Sequence, residues 1–165
     1  VTRLTIAHTW DGQPLPADQH TFVDLAMDSA FRIRVDAPYA ADPPPAGRGS
    51  TPRLWEHEVV EVFVFGDGDR YTEIELGPHG HWLVLRLDGV RSVAGAGHAI
   101  TFRPEIVGSR WTGTAEVERR LLPDAPERIN LFRIAGADRR HEALVPVPGP
   151  GPDFHQPAVG VGWPF

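Results

Sequence analysis

The sequence predicts an all-β protein, an antiparallel β-sandwich of about ten strands forming one domain over residues 1–165. Three observations lead there. Apolar and polar residues alternate with period two along most of the chain. Seventeen Gly and seventeen Pro cut that alternation into short segments joined by turns. Nowhere does a helical period run for more than a turn or two, and strands at this spacing without helices between them make sandwiches or barrels.

In chain order, the first strands are expected at about 3–8 and 21–27. Ala30 to Asp36 sets Phe31, Ile33 and Val35 on one face against Arg32, Arg34 and Asp36. Segment 37–54 carries five prolines. A connection of that length in a compact domain is usually functional, and its prolines reduce the entropy lost on ordering, so it is expected to form a shaped lip. Strand 58–65 is apolar on both faces except for Glu58 and Glu61, and Glu61 shares its face with Val59, Phe63 and Phe65. Tyr71, Glu73 and Glu75 alternate with Thr72, Ile74 and Leu76. Gly77-Pro78-His79-Gly80 reads as a hairpin turn. After it, Leu83, Leu85 and Leu87 are expected to point inward, opposite Trp82, Val84 and Arg86. Further strands are expected at 98–106, 110–118 and 129–135, with one helical turn near Glu118–Leu122 and a second Pro/Gly-rich loop at Pro146–Pro152.

Composition removes several chemistries. The chain has no cysteine, and all 16 of its basic residues are Arg. Disulfides, thiolate metal sites, cysteine nucleophiles, Schiff-base lysines and a phosphate-loop lysine are therefore excluded. A net charge of −6 without an Arg cluster argues against nucleic acid as a partner. No apolar run approaches the ~20 residues of a membrane span, and Val1 to Ile6 lack the apolar core of a signal peptide, so the expected setting is cytoplasmic and away from membranes. None of the four serines lies in a Gly-x-Ser-x-Gly elbow.

Two segments combine an aromatic ring with ionisable groups directly after a Pro/Gly-rich loop: Leu54 to Phe63, and Pro152-Asp153-Phe154-His155. A flat ring beside carboxylates and an imidazole suits a polar ligand with an apolar face, such as a sugar. Trp55 is the expected platform, whereas Trp82 and Trp111 lie within strands as packing residues, and Trp10 either packs under the site or lines it. Glu61 is read as a hydrogen-bond acceptor at a pocket mouth or as an ion-pair partner of Arg32 or Arg34, with equal weight. Glu73 and Glu75 are read first as a solvated face with surface ion pairs, and second as a ligand-facing row continuous with Glu61. His79 and His81 have the spacing of a strand metal pair but lack a third ligand downstream, so no metal and no cofactor is expected. His141-Glu142 reads as the start of a strand.

Trp55-Glu56-His57-Glu58-Val59-Val60-Glu61-Val62-Phe63 resembles the type-9 carbohydrate-binding modules and their DOMON-like relatives. In those modules a Trp begins the strand and an acidic residue six positions later contacts the sugar, which implies these roles for Trp55 and Glu61. Glu73 to Pro78 is similar to the next strand of that superfamily, and Pro152 to Pro157 to the segment supplying a second aromatic wall, here Phe154. The chain departs from the modules where they place an Arg and an Asn, having Glu73, Glu75 and Gly77, and by carrying Phe and then His155 at the second wall. A haem-binding relative of this sandwich would need Met and His axial ligands, and Met27 is the only methionine. A wider set also resembles a family of small uncharacterised proteins of bacteria and animals, which implies the fold without supplying a function. It comprises His8 to Gly12, Asp42-Pro43-Pro44, Leu54-Trp55, Glu58 to Glu61, Pro78-His79-Gly80, His141 to Leu144, Pro146-Val147-Pro148 and Pro152 to His155.

The expected function is binding of a small hydroxyl-rich ligand, a carbohydrate or sugar derivative, by Trp55, Glu58, Glu61, Glu75, Phe154 and His155. The alternative is a hydrolase, lyase or isomerase that uses a Glu/His pair on such a ligand.

Overall fold

Period-two alternation resolves into fourteen strands in the computed structural model, which describes residues 1–165. They are β1 (Thr2–Ile6), β2 (His8–Thr9), β3 (Thr21–Met27), β4 (Ala30–Pro38), β5 (Gly49–Ser50), β6 (Val59–Gly66), β7 (Arg70–Leu76), β8 (His81–Asp88), β9 (Val93–Gly95), β10 (Thr101–Val107), β11 (Arg110–Glu118), β12 (Pro126–Ala135), β13 (Arg140–Ala143) and β14 (Val161–Gly162). Four of these have only two or three residues, which leaves ten longer strands. Helical structure is limited to single 3-10 turns at Ala17–Gln19, Leu54–Glu56, Asp67–Asp69 and Arg119–Leu121. No helix is long and apolar enough to cross a membrane.

The strands form two sheets, one of five in the order β1-β3-β4-β11-β10 and one of nine along β2-β13-β12-β6-β7-β8-β5, with β14 added on β12 and β9 on β8. Every pairing is antiparallel except the two-residue contact of β5 with β8. Between the sheets, Phe31, Ile33, Val35 and Trp111 of the smaller sheet pack against Val60, Val62, Val64, Ile74, Val84 and Leu131 of the larger. Each such side chain contributes roughly 1.5–3 kcal/mol by leaving water. The fold is the expected antiparallel sandwich.

The larger sheet is also covered on its outer face. Phe63, Phe65, Tyr71, Leu83, Leu85, Leu87, Phe132 and Ile134 form a second apolar cluster there, under Leu54, Val147 and Phe154 from the connecting segments. Central strands buried on both faces read as continuous apolar runs, and all eight residues of β6 are buried. This corrects the expected orientation of β8: Val84 faces the inter-sheet core, while Leu83, Leu85 and Leu87 lie beneath the outer cover. Period two shows which residues share a face, but when both faces are apolar it does not show which one meets the other sheet.

The cover is held by buried polar groups. Asn130, fully buried on β12, donates from Nδ2 to the Val145 carbonyl at 3.0 Å and accepts the Val145 amide on Oδ1 at 3.1 Å. Gly160 approaches the β12 backbone so closely that a Cβ would stand 2.6 Å from the Ile129 carbonyl oxygen. The proline-rich segment 37–54 is tied to the sheet edge, its Ala46 carbonyl bonded to His81 Nε2 at 2.8 Å and its Thr51 amide to the Trp82 carbonyl at 2.8 Å. It does not form a lip: none of residues 37–54 lines the cavity described below, which is reached only by Trp55 in the 3-10 turn at its end.

Candidate functional site

A cavity of about 320 Å³ opens on the outer face of the larger sheet. Strand residues make its floor: Glu61 and Phe63 of β6, Glu73 of β7, Leu85 and Leu87 of β8, and Ile134 of β12. Its walls come from connecting segments, which bring Trp55, Arg91, Arg139, Pro152, Phe154 and His155, and from two strand residues, Val93 of β9 and His141 of β13. Arg91 and Arg139 both have left-handed backbones, at φ 59° and 51°, which turn two otherwise unremarkable loops toward the opening. Arg139 donates from Nη2 to the Trp55 carbonyl at 2.7 Å, and Arg91 donates from Nη2 to Asp153 at 2.7 Å.

Register brings three carboxylates together. Glu61 on β6 stands directly opposite Glu75 on β7, and Glu73 follows two positions along on the same face. Directly opposed residues and their diagonal neighbours are the pairs whose side chains meet across a sheet. One oxygen from each of Glu61, Glu73 and Glu75 lies within 4.8 Å of those of the other two. All three are buried, at 2%, 3% and 0% exposure, so the solvated row expected for Glu73 and Glu75 is not what forms; the cover over this face removes it from water. Glu61 does not pair with Arg32, which bonds instead to Asp28 and Glu116 on the other sheet.

Burial raises all three carboxyls, and repulsion from neighbouring carboxylates adds to it at Glu61 and Glu75, since both disfavour the charged form. Desolvation and the neighbouring Glu73 push Glu61 well above the usual carboxylate range, with Arg139 opposing. Desolvation raises Glu73 to about 7, opposed first by the adjacent Glu75 carboxyl and then by Arg91. Glu75 is raised well above the usual range by desolvation and then by Glu61 and Glu73, opposed weakly by the Trp55 backbone amide, which stands outside hydrogen-bonding geometry. Neither Glu75 oxygen has a hydrogen-bond partner, nor does Oε2 of Glu73.

The two aromatic residues reach the same cavity in different states. Trp55 is 36% exposed and is the only exposed tryptophan. Phe154 is only 6% exposed and stacks on Phe132 with centroids 3.9 Å apart and planes 8° from parallel. One face of its ring is therefore occupied by the protein, and Phe154 backs the wall instead of offering an open platform. Trp10 packs against the outer cluster without lining the cavity.

His155 Nδ1 lies 2.7 Å from the Tyr71 hydroxyl, which also accepts the Arg91 amide at 2.9 Å. Donation of the phenol proton to Nδ1 gives the phenol and amide hydrogens an acceptor each, and we assign the imidazole proton to Nε2 on that ground. Desolvation, helped by Arg91, depresses His155 to about 4, so the ring is neutral near pH 7 and presents one donor.

Of the expected site residues, Trp55, Glu61, Phe154 and His155 line the cavity, and Glu75 lies behind Glu61 and Glu73. Glu58 is elsewhere. Its neighbours in the chain alternate faces, and its carboxylate meets the Ala40 amide at 2.9 Å and Arg133 at 3.8 Å within a buried group that includes Glu142. Arg91, Arg139 and His141 line the cavity without having been expected there, Glu73 lines it as the second reading of its strand had it, and Tyr71 joins the site through His155. Glu73 and Tyr71 were legible as face-mates of Glu75, and His141 as a strand residue. Arg91 and Arg139 have no sequence signal, because a positive φ at Arg is set by the surrounding structure.

No protein-family model matches the chain. Among solved structures, a candidate carbohydrate-binding protein of Bacteroides uniformis superposes with a TM-score of 0.75 at 15% identity, over 97% of this chain and 84% of that one. A family 9 carbohydrate-binding module of Caldicellulosiruptor kristjanssonii, solved with glucose, gives a TM-score of 0.50 at 9% identity, over 76% and 66%. At such identities these likenesses establish the type-9-like sandwich fold. In sequence, the chain is 37% identical over 166 residues to the Danio rerio homolog of UPF0462 protein C4orf33, covering 92% of this chain and 83% of the fish protein. It is 38% identical over 163 residues to the human UPF0462 protein C4orf33, covering 91% of this chain and 81% of the human protein. With identity of that order sustained over nine-tenths of its length, the chain belongs to the UPF0462 family.

Proposed function

We propose that the protein binds a small hydroxyl-rich ligand, the end of a saccharide or a sugar derivative, in the cavity between Trp55 and His155. The observation that carries this reading is the placement of one exposed indole on the wall above buried carboxyl groups. The indole offers a flat apolar face for the C–H side of a sugar ring. Glu61 and Glu73 accept hydrogen bonds from its hydroxyls, while His155 Nε2, Arg91 and Arg139 donate. A volume of about 320 Å³ lies at the small end of ligand sites and suits one sugar unit. Phe154 stiffens the wall, and Glu75 supports Glu61 and Glu73 from behind. Glu58 is left out of the binding set. The carbohydrate-binding description of the Bacteroides protein and the glucose in the family 9 module support the reading as properties of the same sandwich.

At about −0.3 kcal/mol per heavy atom, a monosaccharide of about a dozen atoms reaches about −4 kcal/mol, near millimolar affinity. Useful affinity then needs a longer chain or charged substituents. Calorimetric titration of a glycan panel tests this: wild type is expected to give a binding isotherm with at least one glycan, weakened about tenfold or more in Trp55→Ala as about 1.4 kcal/mol or more of stacking is lost. Flat traces with every glycan, or equal affinity in both proteins, oppose it.

One observation favours the catalytic alternative. Glu73 at about 7 and His155 at about 4 are titratable groups of one cavity shifted far from their usual values, a pattern common where acid–base chemistry occurs. On this reading, prolonged incubation with wild type converts a saccharide that Glu73→Gln binds but leaves intact. Recovery of every glycan unchanged from both proteins counts against chemistry.

A further inference from the structure

Buried carboxylates elsewhere in this fold are neutralised by arginine. Glu142, fully buried, is met by Arg133 at 3.1 Å and Arg140 at 2.6 Å, and Glu58 by Arg133. Glu75 has no such partner. Both of its oxygens and Oε2 of Glu73 are buried without a hydrogen bond, a cost of roughly 1–3 kcal/mol or more per group. We propose that Glu61, Glu73 and Glu75 together bind one hard divalent cation, with calcium the best fit, at the floor of the cavity.

The geometry allows it. Oxygens within 4.8 Å of one another can reach one ion, since calcium–oxygen distances of about 2.3–2.6 Å place opposite ligands about 4.6–5.2 Å apart. The donor set is all carboxylate. It suits calcium, magnesium or manganese better than zinc or copper, which favour imidazole and thiolate, and Nδ1 of nearby His155 is committed to Tyr71. The cation supplies the positive charge that no side chain brings to Glu75. Three protein ligands leave at least three positions of a six- to eight-coordinate ion. Because Glu61 and Glu73 line the cavity, those positions open onto it, where water or a ligand oxygen completes the shell. The cation site does not depend on the ligand being a saccharide.

The full chain, stripped with chelator, is titrated at neutral pH with calcium, magnesium and manganese chlorides by calorimetry, without saccharide, and its Tm is read in parallel. One-to-one binding of at least one of these ions with a rise in Tm is expected. Glu75→Gln and Glu61→Gln should each weaken binding by about tenfold or more. Their Tm in chelator should equal or exceed that of wild type, because each removes one of three crowded, buried carboxyls that without an ion must be held protonated; this separates loss of a ligand from failure to fold. Absence of heat and of a Tm rise with all three salts would overturn the proposal and leave protons as what neutralises the cluster. Unchanged affinity in both variants would overturn it by placing the ion elsewhere.

Discussion

Burial and the Tyr71 hydroxyl together define the state of the cavity's histidine. Desolvation, then Arg91, lowers His155 to about 4, and the neutral ring so favoured can accept the Tyr71 hydroxyl proton on Nδ1 while that oxygen accepts the Arg91 amide. The sign of the linkage follows. Unfolded, His155 titrates near its ordinary ~6.5; folded, it titrates lower, so between these values the unfolded chain binds more protons. The stability it contributes is complete above ~6.5 and is lost as pH falls through about 4. Denaturation of wild type and His155→Asn at several pH values should therefore show the wild-type advantage shrinking as pH falls across this window. A constant difference contradicts the assignment. Tyr71→Phe removes the donor and leaves Nδ1 unpartnered, so the NMR-detected titration of His155 should move upward, with a stability loss of about 1–3 kcal/mol. An unmoved titration would mean that the hydroxyl is not the donor.

At the scale of elements, the site is a product of the β6–β7 register and of the cover laid over it. A slip of one residue would send Glu61 and Glu75 to opposite faces, and the apolar face-mates Phe63, Tyr71 and Leu85 keep the register in place. The alternation that predicts these strands also shows that Glu61, Glu73 and Glu75 share faces with apolar residues. What it hides is the cover: Leu83, Leu85 and Leu87 read as core and Glu73 and Glu75 as solvated, because one strand in isolation does not reveal a third layer. That layer depends on Asn130, whose amide holds the Val145 backbone through both donor and acceptor. Asn130→Ala is expected to cost about 2–3 kcal/mol by orphaning buried backbone groups, and to raise hydrogen exchange in 144–160 before the inter-sheet core. Uniform loss of protection across both sheets would deny the cover its separate stability.

At the scale of the whole molecule, two faces of one sheet handle buried charge differently. Toward the smaller sheet, Glu58 and Glu142 meet Arg133. On the outer face, Glu75 meets no cation, and the cavity lies there. Sequence reasoning reached most of the fold and four cavity residues, because Trp55 and His155 announce themselves as ring and imidazole beside proline-rich turns. It misplaced Glu58, which alternation already sets on the face opposite Glu61, because the resemblance that grouped the two follows the chain and not the pleat. It missed Arg91 and Arg139, whose left-handed backbones are a consequence of the packed loops. Whether Trp55 is the ligand platform is open to a direct test, because the chain has five tryptophans. In a proton–nitrogen NMR spectrum their indole N–H signals are resolved and assigned by substitution, and glycans are added in turn. The account predicts that a binding glycan shifts the Trp55 indole progressively while those of Trp82, Trp111 and Trp163 stay in place. A glycan that binds yet leaves Trp55 unmoved, or a full panel that moves none of the five, would contradict it.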